Sequence, residues 1–142
     1  MKNLFYFFPL VFSLTTIHSQ TNNNIKIILE EYNYSPDSFF VGATLNHFQL
    51  NTEVEKIFIK EFKYLTPANS FKQTIIHPKP NVWRWARCND FLNFANENNL
   101  TLRVHGPISP QSSKWAKEDI RTKEELILIL EEYFTELCKK VN

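Results

Sequence analysis

Asn69, Lys72 and His105 bring an amide, an ammonium and an imidazole to the ends of short apolar runs. Together they form a polar, hydrogen-bonding set. Asn69 and Lys72 are three residues apart, so a single helical turn would aim both the same way. His105 closes the run that begins at Leu100, where a strand should stop. Consecutive strands that each release polar groups at their carboxyl ends predict a parallel barrel with its site on that face.

The elements that must position these residues follow from the pattern. Ile25, Ile28, Leu29 and Tyr32 recur at helical spacing and predict a short amphipathic helix at the bottom of the barrel. Phe39–Thr44 is a continuous apolar run of strand length, as expected where both faces are buried. Thr52-Glu-Val-Glu55 has the form of a capping box and opens a first helix striped by Val54, Ile57, Phe58 and Phe62. Tyr64–Thr66 reads as the second strand. From there to Trp85 the chain carries Pro67, Pro78 and Pro80, which predicts a long loop without regular structure. Cys88, Phe91, Leu92 and Ala95 stripe a second helix that ends at Asn98-Asn99. Leu100–His105 is the third strand. Thr122-Lys-Glu-Glu125 repeats the capping box before a third helix striped by Leu126, Ile129, Leu130, Tyr133, Phe134, Leu137 and Val141. Such strand-then-helix alternation implies βαβ units.

Composition narrows the partners. With 142 residues, 43% of them hydrophobic and 15% aromatic, the chain can build one domain with a real core. Its two glycines rule out a Gly-rich phosphate loop. A net charge of +1 provides no basic field for nucleic acid, and it is compatible with a neutral polymer. Lys2, an apolar stretch from Leu4 to Leu14 and a small polar segment form a secretory signal pattern over residues 1–19, with cleavage near Ser19. Secretion, to the periplasm or outside the cell, is therefore expected, with residues 20–142 as the mature domain and no membrane association after cleavage. A retained anchor is the alternative, although the apolar core is too short for an ordinary spanning helix. Cys88 and Cys138 would lie at opposite ends of parallel-running helices, roughly 24 Å apart at about 1.5 Å per residue, beyond disulfide reach. Both are read as small core residues.

Thr66-Pro-Ala-Asn69-Ser-Phe-Lys72, then His77-Pro-Lys-Pro80, then Arg103-Val-His105, resembles the front part of glycoside hydrolase family 10, the endo-β-1,4-xylanases. The resemblance runs from Phe39 to about Val141. It implies an α/β fold, a partial TIM (β/α)8 barrel with the first three βα units only, and an N-terminal portion of a truncated domain. It implies that Asn69, Lys72 and His105 contact sugar hydroxyls of a polysaccharide or oligosaccharide beside the cleaved bond, with Trp115 matching a family tryptophan. Ala68 stands where the family has Glu, Gln73 where it has Trp, and Ser109-Pro110 near its Trp-His pair, so the subsite is partly remodelled. Retaining hydrolysis needs two carboxyl groups about 5 Å apart. The family supplies both as Glu at the ends of the fourth and seventh strands, beyond Asn142. The expectation is a chain with sugar-contacting residues, no catalytic pair, no metal or cofactor, and no activity alone. A non-catalytic carbohydrate-binding protein on the same barrel is the competing reading.

Several residues keep two readings. His105 is a satisfied core histidine or a sugar contact, and His47 lines the cleft or does not. Trp83 and Trp85 pack the second loop or stack on a sugar, and Trp115 stacks or fills core. His77 reads as a loop residue. A metal-dependent hydrolase built on His47 and His105 has no nearby carboxylate or His-x-His pair to complete it. Three parallel units alone would leave strand edges unpaired. Residues 20–142 expressed by themselves are therefore expected to be insoluble, molten or oligomeric; a sharply unfolding monomer in sedimentation would contradict this.

Overall fold

The computed structural model describes residues 24–32, 40–108, 118 and 120–141. The proposed signal segment, Phe39 and Trp115 lie outside these residues. Three parallel strands form one sheet in chain order: β1 (Gly42–Leu45), β2 (Tyr64–Pro67) and β3 (Thr101–Leu102). Gly42 pairs with Tyr64, Thr44 with Thr66, and Tyr64 with Thr101. Helices α1 (Ile25–Glu31), α2 (Glu53–Glu61), α3 (Gln73–Ile76), α4 (Ala86–Glu97) and α5 (Lys123–Val141) complete the described elements. Thus β1–α2, β2–α4 and β3–α5 are the three βα units.

Burial alternates along the strands. Leu45 and Leu65 are buried, whereas Gly42 and Thr44 are exposed. One sheet face packs under the helices, with Phe58, Phe91, Phe94, Ala95 and Leu137 contributing to the buried core. The opposite face, which would line the barrel interior, is open: Phe40, Gly42, Tyr64, Thr66, Thr101 and Arg103 line a depression of about 480 Å3 there. The expectation that β1 is buried on both faces is therefore corrected, since three strands cannot curl far enough to cover their own inner face. The first strand also begins at Gly42 rather than Phe39.

Helix ends follow local chemistry. Thr52 accepts from Val54 N, and Thr122 and Glu125 exchange reciprocal bonds of 2.8 and 3.3 Å, satisfying donors that a helix start leaves open. After α4, Asn99 adopts φ 51°, the left-handed conformation that stops a helix. Helix α1 docks on the lower end of α2, where Glu61 accepts from Ile25 N at 2.8 Å.

The expected stripes need correction at the flanks. Val54 and Ile57 on α2 are 43% and 61% exposed, and Leu130 and Phe134 on α5 are each 42% exposed. Helix α4, which lies between its neighbours, buries Cys88, Phe91, Phe94 and Ala95. A helix in a barrel packs on the sheet and on a barrel helix to either side; among the described residues α2 and α5 are the outermost of these and each leaves one flank open. Both cysteines are free, but only Cys88 belongs to the core; Cys138 is exposed. Burial pushes the Cys88 thiol up to about 11, opposed by Lys140, and its Sγ donates to Ser70 O at 3.1 Å.

Candidate functional site

The three strands point their carboxyl ends to one rim, and the loops leaving that rim carry most of the residues singled out in the sequence. The β1–β2 ladder runs on to Ala68, whose N donates to Leu45 O at 3.0 Å, and the chain then turns, with Lys72 N donating to Asn69 O at 3.0 Å. Asn69 and Lys72 thus bracket a hydrogen-bonded turn, not the helical turn expected from their spacing. Asn69 is exposed and Lys72 half-buried as the residue that caps α3.

Helix α3 was expected to be loop. One tertiary and one local bond hold this single turn between prolines: Gln73 N donates to Pro107 O at 2.9 Å, and Gln73 Nε2 donates to His77 O, four residues on, at 2.8 Å. The first of these ties the loop after β2 to the loop after β3. Tyr133 of α5 adds to the tie from below, its hydroxyl lying 3.3 Å from both Phe71 O and Pro107 O. Burial and the nearby Cys88 raise the Tyr133 pKa, so the hydroxyl stays protonated and able to donate.

His105 lies three residues past β3 and is exposed, in step with Thr101 and Arg103 of the open inner face. The β2–β3 ladder extends one residue past β3 through Arg103 N, which donates to Leu65 O at 2.7 Å. His47 follows β1 in a 3-10 turn, His47–Gln49, and its Nε2 lies 2.7 Å from Asp90 Oδ2 on α4. His47 therefore does have a carboxylate beside it, contrary to the expectation. Among the described residues no group of three His, Cys, Asp or Glu gathers as a metal site would require.

A pocket of about 200 Å3 opens between the first two loops, lined by Asn46, His47, Phe48, Asn69, Ser70 and Arg87. It brings His47 and Asn69 together. Lys72 and His105 do not line it; they follow adjacent strands on the linked loops. Arg87 and Asp90 went unnoticed in the sequence. They stand three apart on α4, a spacing that puts both on one helical face, and that was the available signal.

His77 follows α3 outside any regular element, as expected, but it is buried. Its ring stacks on Trp83 with centroids 4.2 Å apart and planes 2° apart, and Trp83 stacks on Trp85 at 5.4 Å. This packing favours the structural reading of both tryptophans. Burial lowers the His77 pKa, with Glu132 opposing. The unfolded chain then binds a proton, near 6.5, that the folded chain resists. Stability should fall as pH drops through 6.5 toward the lower folded value. His77→Phe keeps a ring over Trp83 and should flatten that part of the pH profile of urea unfolding.

A parallel sheet with helices over one face and polar loops gathered at its carboxyl ends defines a segment of a (β/α)8 barrel. The chain belongs to glycosyl hydrolase family 10, which it matches over residues 30–142. It is 31% identical to a β-1,4-xylanase of Dictyoglomus thermophilum over 102 residues, covering 71% of this chain and 28% of that protein. The endo-1,4-β-xylanase of Caldicellulosiruptor owensensis superposes with a TM-score of 0.71 at 26% identity, over 83% of this chain and 36% of that one. Xylanase 10B of Thermotoga petrophila, solved with xylobiose, gives 0.69 at 26% identity, over 82% and 36%. The chain thus spans about a third of the length of these relatives.

Proposed function

We propose that this chain forms the sugar-binding N-terminal portion of a secreted endo-1,4-β-xylanase-like glycoside hydrolase, acting on O-glycosyl bonds of xylan or a related polysaccharide. In this reading Asn69, Lys72 and His105 hydrogen-bond hydroxyls of the glycone, while His47 and Trp115 border the cleft. The observation that carries it is the tie between the rim loops: the 2.9 Å bond from Gln73 N to Pro107 O keeps the segments bearing Asn69, Lys72 and His105 side by side. Residues 1–19 serve as the signal. The family's hydrolysis needs an acid and a nucleophile, both glutamates. Among the described residues every acidic side chain except Glu118 sits on a helix, none at a strand's carboxyl end. We therefore assign the catalytic pair to other strands of a complete barrel. The same observation supports a second reading, a carbohydrate-binding protein without hydrolytic activity.

Titration calorimetry with xylotetraose tests the binding site. Asn69→Ala, Lys72→Ala and His105→Ala should each weaken binding roughly 5- to 30-fold, the worth of one or two hydrogen bonds. Unchanged affinity in all three would remove the site. A downstream reading frame encoding a Trp-Asp-Val-Val-Asn-Glu-like segment favours the enzyme; a stop followed by unrelated sequence favours the binding protein.

A further inference from the structure

We infer that the pocket between the loops after β1 and β2 binds the carboxylate of an acidic sugar, a uronic acid unit on the polysaccharide, with Arg87 as the cation that recognises it. The inference rests on the carbohydrate reading above and specifies what that site prefers. Five of the six lining residues are polar and none is acidic. Arg87 is exposed, and the side chains of Arg87 and Asn69 make no hydrogen bond or ion pair among the described residues. An arginine fork beside an open amide suits a planar carboxylate, with charge-assisted and commonly bidentate bonds.

Three further features point the same way. Helix α4 starts at Ala86 with no side-chain cap and no acidic residue in its first turn, so its N-terminal dipole adds positive potential beside Arg87. The nearest acid on that helix, Asp90, is engaged by His47 at 2.7 Å and does not line the pocket. Phe48 stands at the pocket 76% exposed, an apolar platform of the kind sugar rings stack on. A neutral pyranose would use the amide and the ring but leave the guanidinium without a counter-charge.

Calorimetry on the full chain with two probes decides the matter: xylotetraose, and xylotetraose carrying one glucuronic acid substituent. The acidic probe should bind roughly tenfold more tightly, the worth of one charge-assisted bond. That preference should shrink with added salt because Arg87 is exposed. Arg87→Met should abolish it and Arg87→Lys retain part of it, with far-UV circular dichroism showing both variants folded. Equal affinity for the two probes, or a preference that survives Arg87→Met, overturns the inference while leaving the carbohydrate reading intact. Failure of both probes to bind overturns the two together.

Discussion

Tyr133→Ala should destabilise the chain by roughly 3–5 kcal/mol, as expected for emptying a buried aromatic position. The side chain is 2% exposed and packs near Trp83, with centroids 6.1 Å apart, and against Phe134 at 5.6 Å. Its hydroxyl also serves the carbonyls of Phe71 and Pro107, one in each rim loop. Truncation would therefore leave a cavity and remove the hydroxyl's share of the tie between those loops. Tyr133→Phe separates the two effects. It refills the cavity and removes only the hydroxyl, so it should cost about 1 kcal/mol. If the tie positions the sugar contacts, Tyr133→Phe will weaken xylotetraose binding by more than its small stability loss suggests. Urea unfolding followed by tryptophan fluorescence gives the first quantity and calorimetry the second. Both need one fixed protein concentration, because self-association shifts apparent stability.

Gly42→Ala should cost roughly 2–3 kcal/mol, although the change is one methyl group at an exposed position. A Cβ placed there would stand 2.3 Å from Tyr64 O and 2.7 Å from Tyr64 Cβ. The first atom is backbone, and β2 is the middle strand of the sheet, so it cannot swing aside without disturbing both ladders. Gly106 is the natural control. Its Cβ would meet nothing within 4 Å, but its φ of 55° lies in the left-handed region. Gly106→Ala should therefore cost about 1–2 kcal/mol through backbone conformation alone. A Gly42 variant no worse than the Gly106 variant would contradict the close β1–β2 approach.

Much of this fold could be read from hydrophobic spacing. The second strand, both capped helix starts and the Asn98-Asn99 stop follow from local chemistry, and local chemistry is what a sequence displays. The misreadings share one cause, which is that tertiary contact decided the outcome. The three prolines after β2 suggested loop, yet α3 is held by the bond from Gln73 N to Pro107 O, more than thirty residues away. The stripe on α2 contained Val54 and Ile57, but whether a stripe is covered depends on a neighbour, which no spacing reveals. Asn69, Lys72 and His105 were singled out by the family pattern of their segments, which the fold carries on the loops after β2 and β3. The His47–Asp90 pair spans 43 residues, so neither residue signals the other. Arg87 was hidden for the same reason: only the fold brings it beside Asn69.

Strand order in this sheet is chain order, with consecutive strands side by side. A polypeptide emerging from the ribosome would therefore find each strand's template already waiting, without long-range search. Assembly can proceed vectorially, one unit laid against the last. The bare apolar flank of α5 would then be the growing surface on which any later helix condenses.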